Sequence, residues 1–578
     1  MFWLRGRKPP LPYRKEKKML DNNSKFSYVP GTRASRSIFD LSNSVKTSFD
    51  AAQLVPFYYE EVLPGDTFNL ETNLIARMQT LVAPVMDDLY LDFFYFFVPN
   101  RIVWDHWKEF MGENTKSAWY PETEYNVPQI SVAPSKSVAA KSVADYFGIP
   151  PITVPQGEKN AFTFSALPFR AYAEIWNEWF RDENLQDPVL VDHGDSTHSY
   201  DATSAVDGGS LLYANKYHDY FTSALPAPQK GADVTIPINT FAPVYSVNPS
   251  ISANVEKSYP VSAMEVRGVN DVALGSSGGF MTYSASAGLD PSGLSKIVGG
   301  NSTSSAQTAY HIYPSNLIAD MESVPATSIN QLRLAFATQA LLEKDARGGT
   351  RYREIIKSHF ATNSPDARQQ VPELLSYNRV PIQINQVVQN SSSTDNSPQG
   401  NTAAYSLTAD SDGSFLKSFT EHGMVIGVMC ARYKHTYQQG LDKRFTRKTR
   451  FDYYWPLLAN LGEQPILNRE IYAQGTEKDG EVFGYQEAWS EYRYKPDICT
   501  SEMRSTYPQS LDVWHFGDNY KSLPTLSSGW IQEDLNNINR ALAVSSSVSN
   551  QFFADIYIKN KATRVMPVYS IPGMPRTL

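Results

Sequence analysis

LYLDFFYFFVPNRIVWDHWKEF, residues 89–110, gathers Tyr90, Phe93, Phe94, Tyr95, Phe96, Phe97, Trp104, Trp107 and Phe110 into one short span. Leu89–Val98 does not alternate; apart from Asp92, both faces of an extended backbone are apolar. Such a strand has to be covered on both sides. Pro99 stops the run, and Trp104, Trp107 and Phe110 then recur at helical spacing. The span therefore predicts a doubly covered strand followed by a short helical turn. Trp104, Trp107 and Phe110 are candidates for a core or an inter-subunit contact.

Other segments support a β-rich chain with a few helices. From Phe68 to Met78, Phe68, Leu70, Leu74, Ala76 and Met78 point one way and Asn69, Glu71, Asn73 and Arg77 the other, the pattern of a half-buried strand. MVIGVMC (424–430) is a second apolar strand candidate. Within 162–187, Phe169, Tyr172, Ala173, Trp176 and Phe180 share one helical face, and Pro168 suits a first turn, where no N–H is missed. A second helix is predicted from Ser328, which has capping-box spacing to Gln331, with a stripe of Ile329, Leu332 and Phe336, to a stop at Gly348 and Gly349. A third helical segment spans 350–360.

The chain divides into four expected parts. Residues 1–36 read as a basic, flexible arm, with Arg5, Arg7, Lys8, Arg14, Lys15, Lys17 and Lys18 opposed only by Glu16. Residues 37–236 hold the first strands and helical insertions. Residues 237–325 are rich in Gly and Ser and poor in charge, a long insertion with little to contribute to a core. Residues 326–578 carry helices, the remaining strands and a Tyr/Trp-rich tail with many turns.

Charged residues make up 19% of the 578 and aromatics 13%, with 37 prolines and 34 tyrosines. Few charges and many aromatics suit a chain that buries surface against partners, and equally a large monomer with an aromatic core. The net charge of −8 does not mark the whole chain as a nucleic-acid binder. No apolar stretch follows the first cations, so they do not form a secretory signal, and the longest apolar runs are too short to span a bilayer. Two cysteines, Cys430 and Cys499, make no disulfide framework and read as two buried thiols in a reducing compartment.

A search for chemistry yields little. His193, Asp195 and His198 in HGDSTH are metal-ligand types, yet the stretch reads as a solvated loop without a third histidine. Asp410, Asp412 and Gly413 resemble part of a calcium loop, but Thr408 and Phe419 stand where the first and the closing ligand belong. DARGGTRY (345–352) lacks the Gly-Lys-Ser/Thr of a phosphate loop, and a helix stop explains its glycines. The remaining signal is basic and aromatic together: Arg444, Arg447, Lys448 and Arg450 sit beside Phe451, Tyr453, Tyr454 and Trp455. Cations neutralise phosphates and aromatic faces stack unpaired bases, so this segment and the amino-terminal arm are candidates for single-stranded nucleic acid. A salt-bridged surface is the alternative for 444–455.

Eight blocks carry a resemblance: FYYEEVLPGDTFNL (57–70), 89–113, LPFRAYAEIWNEWFRDENLQD (167–187), LEKDARGGTRYREIIKSHF (342–360), SFTEHGMVIGV (418–428), 436–464, EVFGYQEAWSEYRYKP (481–496) and MPVYSIPG (566–573). In order and over most of the chain, they resemble the major capsid protein of the Microviridae, best its gokushovirus branch. The match breaks mainly at 237–325 and near the start. The resemblance implies an eight-stranded antiparallel jelly roll with long inter-strand insertions carrying a few helices. It further implies self-assembly into a T=1 icosahedral shell around a circular single-stranded DNA genome, with no catalytic residues and no cofactor.

The same resemblance implies further partners: a small basic DNA-binding virion protein, a minor capsid or pilot protein, and a host surface receptor. It implies a virion assembled in the host bacterial cytoplasm, and places a three-fold protrusion at 237–325. There Tyr245, Tyr259, Tyr283, Tyr310 and Tyr313 among small residues have the composition of a binding surface, a candidate for host recognition. Against this stands a β-sandwich carbohydrate-active or adhesive protein, which the basic arm and the missing signal disfavour.

Overall fold

A computed structural model describes residues 36–116, 123–157, 162–235, 329–395 and 398–569, with the backbone of 244–246, 266–268, 312–314 and 317–319. The amino-terminal arm up to residue 35 lies outside the described residues, as do Tyr259, Tyr283, Tyr310 and Ser328, the expected helix cap. The chain forms two compact units, one of 1–228 with 347–578 and one of 229–346.

The first unit is built on two antiparallel sheets. Their strands are β1 (Ser37–Asp40), β2 (Asn43–Phe49), β3 (Val55–Val62), β4 (Thr67–Met78), β5 (Leu89–Pro99), β6 (Glu373–Pro381), β7 (Thr408–Asp410), β8 (Phe415–Ser418), β9 (Gly423–Tyr433) and β10 (Phe552–Arg564). In one sheet β10 lies at the centre beside β4, paired from Thr67↔Thr563 to Met78↔Phe552. β1 and β2 share the far edge of β10, and β7 and β8 share the far edge of β4. The other sheet runs β6-β5-β9-β3. If β1 with β2 and β7 with β8 each count as one position, the orders are first-eighth-third-sixth and fifth-fourth-seventh-second.

The sequence patterns explain the layers. Phe68, Leu70, Thr72, Leu74, Ala76 and Met78 of β4 are buried, and every residue between them is more exposed. β9 is buried along nearly its whole length and pairs with all of β5, from Gly423↔Pro99 to Tyr433↔Leu89. Across the sandwich the Thr72 and Tyr95 hydroxyls lie 2.7 Å apart, and Asn560 Nδ2 donates to the Tyr58 hydroxyl at 2.9 Å. Gly427, in the middle of β9, lies under rings of the inter-sheet core; a Cβ there would meet Phe57 at 2.9 Å and Tyr95 at 3.0 Å. Only glycine fits so close an approach.

The outer face of β5 is covered by the chain's own insertion between β5 and β6. That insertion carries α1 (Leu167–Trp179), with Pro168 in its first turn. Phe94 meets Phe180 edge-on at 5.0 Å, and Phe96 meets Trp179 at 5.5 Å. Tyr172 anchors the helix by donating to the Leu54 carbonyl at 2.6 Å. Phe169, Tyr172, Ala173, Trp176 and Phe180 are all buried, as their spacing predicts. Both cysteines are free and buried.

Asp92, the one polar residue in the apolar run, is fully buried. It accepts from Arg379 Nε at 2.9 Å, from the Tyr217 hydroxyl at 2.7 Å and from Arg432. A buried carboxylate survives only when paired in this way.

In the second unit, described residues form two antiparallel two-stranded ladders, Val244–Ser246 with Leu317–Ala319 and Val266–Gly268 with Ile312–Pro314. Tyr245 and Tyr313 lie on these ladders. The helix α2 (Ile329–Gly348) follows, and Gly349 at φ +95° marks its stop. The third predicted helix is α3 (Tyr352–Phe360). Among the described residues no helix is long and apolar enough to cross a membrane.

Candidate assembly and nucleic-acid surfaces

Two regions carry the residues singled out in the sequence. The first follows β5. Residues 100–103 and 107–110 each make one helical turn, and Trp104 between them is extended, at φ −150° and ψ 117°. The spacing thus reflects two short turns separated by a kink. Trp104 is fully buried, Trp107 packs at the core margin, and Phe110 is 38% exposed. The three rings touch one another, with Trp104 5.2 Å from Phe110 and 6.1 Å from Trp107. Trp104 Nε1 donates to Asp195 Oδ1 at 2.7 Å.

That bond ties the turn to the HGDSTH loop, whose histidines all face carboxylates. His198 lies 3.0 Å from Asp192 and 2.9 Å from Asp207, and His193 lies 3.4 Å from Glu174. The bond to Asp192 raises the His198 pKa, and the bond to Glu174 raises that of His193. The loop's side chains hold one another: Asp195 serves Trp104 and His106, and no cluster of metal-ligand type occurs among the described residues. Asp410 belongs to β7 and accepts from Asn378 Nδ2 at 2.9 Å.

The second region is the long connection between β9 and β10, which holds 444–455. It is laid out in short 3-10 turns, each fixed by a local polar contact. Asp442 accepts from the Arg444 backbone at 2.9 Å and opens the turn Lys443–Phe445. Asp452 accepts from the backbones of Lys448 and Thr449 at 2.8 and 2.7 Å. Trp489 Nε1 donates to the Leu458 carbonyl at 2.7 Å. On this frame the apolar side chains point outward: Phe445 is 80% exposed, Leu457 98% and Trp455 49%.

The four cations of this segment play different parts. Arg447 is buried beside Glu491, at 3.0 Å, and its guanidinium lies 4.5 Å from the Tyr492 ring and 5.0 Å from the Tyr453 ring. Arg444 is taken up by Asp442. Lys448 and Arg450 form no ion pair among the described residues, and Arg450 lies 4.7 Å over the Phe451 ring. The segment is therefore an outward-facing aromatic ledge with two cations that no carboxylate engages among the described residues. Glu491 and Tyr492, which build it from behind, were not singled out for a role in the sequence; their only local signal is the cation–aromatic mixture of EAWSEYRYKP.

Within the same connection His435 is buried between Asp518 and Glu533, 2.9 Å from each. Burial alone would push the imidazole down, but the two carboxylates outweigh it and raise its pKa to about 10. Asp518 also faces Lys216 at 3.8 Å, and these cations hold it well below the usual carboxylate range against the effect of burial.

Comparison with known proteins places the chain among relatives that match nearly all of it. The model of the family described as Capsid protein (F protein) matches residues 27–574. Capsid protein VP1 of Bdellovibrio phage phiMH2K is 41% identical over 554 residues, covering 96% of this chain and 98% of that one. Capsid protein VP1 of Chlamydia phage 1 is 38% identical over 596 residues, covering 96% and 98%. Capsid protein VP1 of Spiroplasma virus 4 is 39% identical over 576 residues, covering 97% and 100%. Matched by the family model over residues 27–574 and by these three relatives along nearly their whole length, the chain belongs to the capsid protein (F protein) family of the Microviridae, as a structural protein of a bacteriophage virion and not an enzyme.

Proposed function

We propose that this capsid protein is a jelly-roll subunit of a T=1 icosahedral shell that encloses a circular single-stranded DNA genome. The observation that carries the reading is the strand order of the two sheets, first-eighth-third-sixth facing fifth-fourth-seventh-second. Two four-position sheets in this order are what a pair of Greek keys wound into a jelly roll would give, which supports the reading. Large apolar side chains left outward, among them Leu457, Phe445, Leu190 and Leu416, fit surfaces that neighbouring copies or partners cover.

In this reading Arg5, Arg7, Lys8, Arg14, Lys15, Lys17 and Lys18 of the arm meet the genome, together with Lys448, Arg450 and the ledge aromatics. A subunit of net charge −8 cannot neutralise the enclosed phosphates. A small basic virion protein supplies that charge, and a minor capsid or pilot protein completes the particle in the host cytoplasm. Residues 237–325 form the three-fold protrusion and present tyrosines to a host receptor.

Electron cryomicroscopy of particles from an expressing host tests the reading. Expected are closed shells with sixty copies, carrying DNA that a single-strand nuclease destroys once the shell is opened. Discrete monomers, or shells of another triangulation number, overturn it. Deleting 240–320 is expected to leave assembly intact and abolish attachment; unchanged infectivity removes the receptor role.

A further inference from the structure

The chain leaves the first unit at Pro228 and returns to it at Arg347. Arg347 fixes the return: its Nε donates to Glu463 Oε1 and its Nη1 to the Ser223 carbonyl, both at 3.2 Å. Gly348 and Gly349 follow, and Thr350 and Arg351 lead into α3. Arg351 is held at the end of α1. Its Nη2 donates to the Asn177 carbonyl at 2.6 Å and to the Arg181 carbonyl at 3.3 Å. Carbonyls at a helix C-terminus lack partners within the helix, so a guanidinium is well placed there.

Three carboxylates meet on that guanidinium. Glu183 accepts from Arg351 Nη1 through Oε1, and from the backbone and hydroxyl of Thr350 through Oε2. Glu354, in the first turn of α3, accepts from Arg351 Nη1 and from the Arg351 backbone, both at 3.3 Å. Glu178 Oε2 lies 3.6 Å from Arg351 Nε. Neighbouring charges are engaged elsewhere. Arg353 lies 3.5 Å from Asp366 Oδ1 and donates to the Glu178 carbonyl, Arg181 donates to the Gln186 carbonyl, and Asp182 accepts from the backbones of Asn184 and Leu185.

Glu354 folds back over the turn, so that a Cβ at Gly349 would stand 2.3 Å from its Oε2. It also shares a hydrogen bond with Glu183. Two carboxylates bond to each other only when one of them keeps a proton. The proton belongs on Glu354. Glu183 already accepts from Arg351 and twice from Thr350, whereas burial and the adjacent Glu183 raise the Glu354 pKa to about 7.

We propose that Glu183 and Glu354 form a proton-operated clamp on the segment that re-enters the first unit, closed while they share the proton and opening in alkali. With Glu354 protonated, its hydroxyl donates to Glu183 and ties the start of α3 to the loop after α1. Once Glu354 ionises, three negative carboxylates face the Arg351 guanidinium, and their repulsion loosens α3 from α1. The folded-state pKa lies above the ordinary 4.5, so the clamp's contribution is full below pH 4.5 and is lost as pH rises through about 7.

Hydrogen–deuterium exchange of the purified full chain at pH 6 and pH 8.5, each amide corrected for its intrinsic rate, tests the clamp. Protection of 350–360 is expected to fall about tenfold across this range, and by more than that of β9. Glu354→Gln keeps a neutral donor in place, so 350–360 is expected to stay protected at both pH values. Glu183→Gln removes the repelling charge and is expected to abolish the pH dependence, whatever it does to the baseline. Equal protection of the wild-type segment at both pH values overturns the clamp. A fall shared equally by β9 marks global opening and overturns it too, as does an undiminished fall in either variant.

Discussion

Arg432 Nε donates to Asp92 Oδ2 at 3.2 Å, joining neighbouring strands β9 and β5 through a carboxylate that no solvent reaches. Arg379 of β6 completes the arrangement from the other side of β5. Asp92→Ala leaves the buried Arg432 guanidinium without its carboxylate and is expected to cost about 3–5 kcal/mol. Soluble yield and thermal melting check it; a melt within a degree of wild type refutes the role.

Trp104→Ala removes the largest fully buried side chain among the described residues and its bond to Asp195. A cost of about 3–5 kcal/mol is expected from the cavity. Trp107→Ala, at the core margin, is expected to cost less. Normal particle yield and stability for both variants would contradict this packing.

The His435 cluster makes stability depend on alkali. Its folded-state pKa of about 10 lies above the ordinary 6.5, so the imidazolium's contribution is full below pH 6.5. The contribution declines as pH rises and is lost beyond about 10. Melting temperature is expected to fall between pH 7 and pH 10 in wild type, and to fall less steeply in His435→Gln. Parallel pH profiles for the two proteins would show that the histidine is not the source.

Trp455→Ala on the exposed ledge is expected to weaken binding of single-stranded oligonucleotides, by about 1–3 kcal/mol for one lost stacked base, without changing the melt. Arg450→Ala should lower the salt dependence of binding by about one phosphate contact. Arg447→Ala should instead lower the melting temperature, because its guanidinium is buried against Glu491. Equal effects of all three on the melt would remove the distinction.

The strands β4, β5 and β9 and the helix α1 were legible because periodicity is a local property. Phe68–Met78 alternates and Leu89–Val98 does not, and burial follows both patterns. β10 was less visible: Phe552, Ala554, Ile556 and Ile558 alternate with exposed or half-buried residues, yet the lysines and asparagine that follow made the stretch look like part of a turn-rich tail. The partners of Asp92 come from three separate segments, and no spacing rule connects them. The same holds for the cations of 444–450, whose number was readable although the carboxylates that engage Arg444 and Arg447 were not.

The centre of the six-stranded sheet is the strand that lies furthest along the chain among the described residues. Until β10 is made, β2 and β4 lack the neighbour that each requires, several hundred residues after they themselves were synthesised. Closure this remote in sequence is slow and exposes sticky edges meanwhile. A polypeptide that stops before Phe552 lacks the keystone on which both halves of this wall lean, and is expected to leave it unfinished.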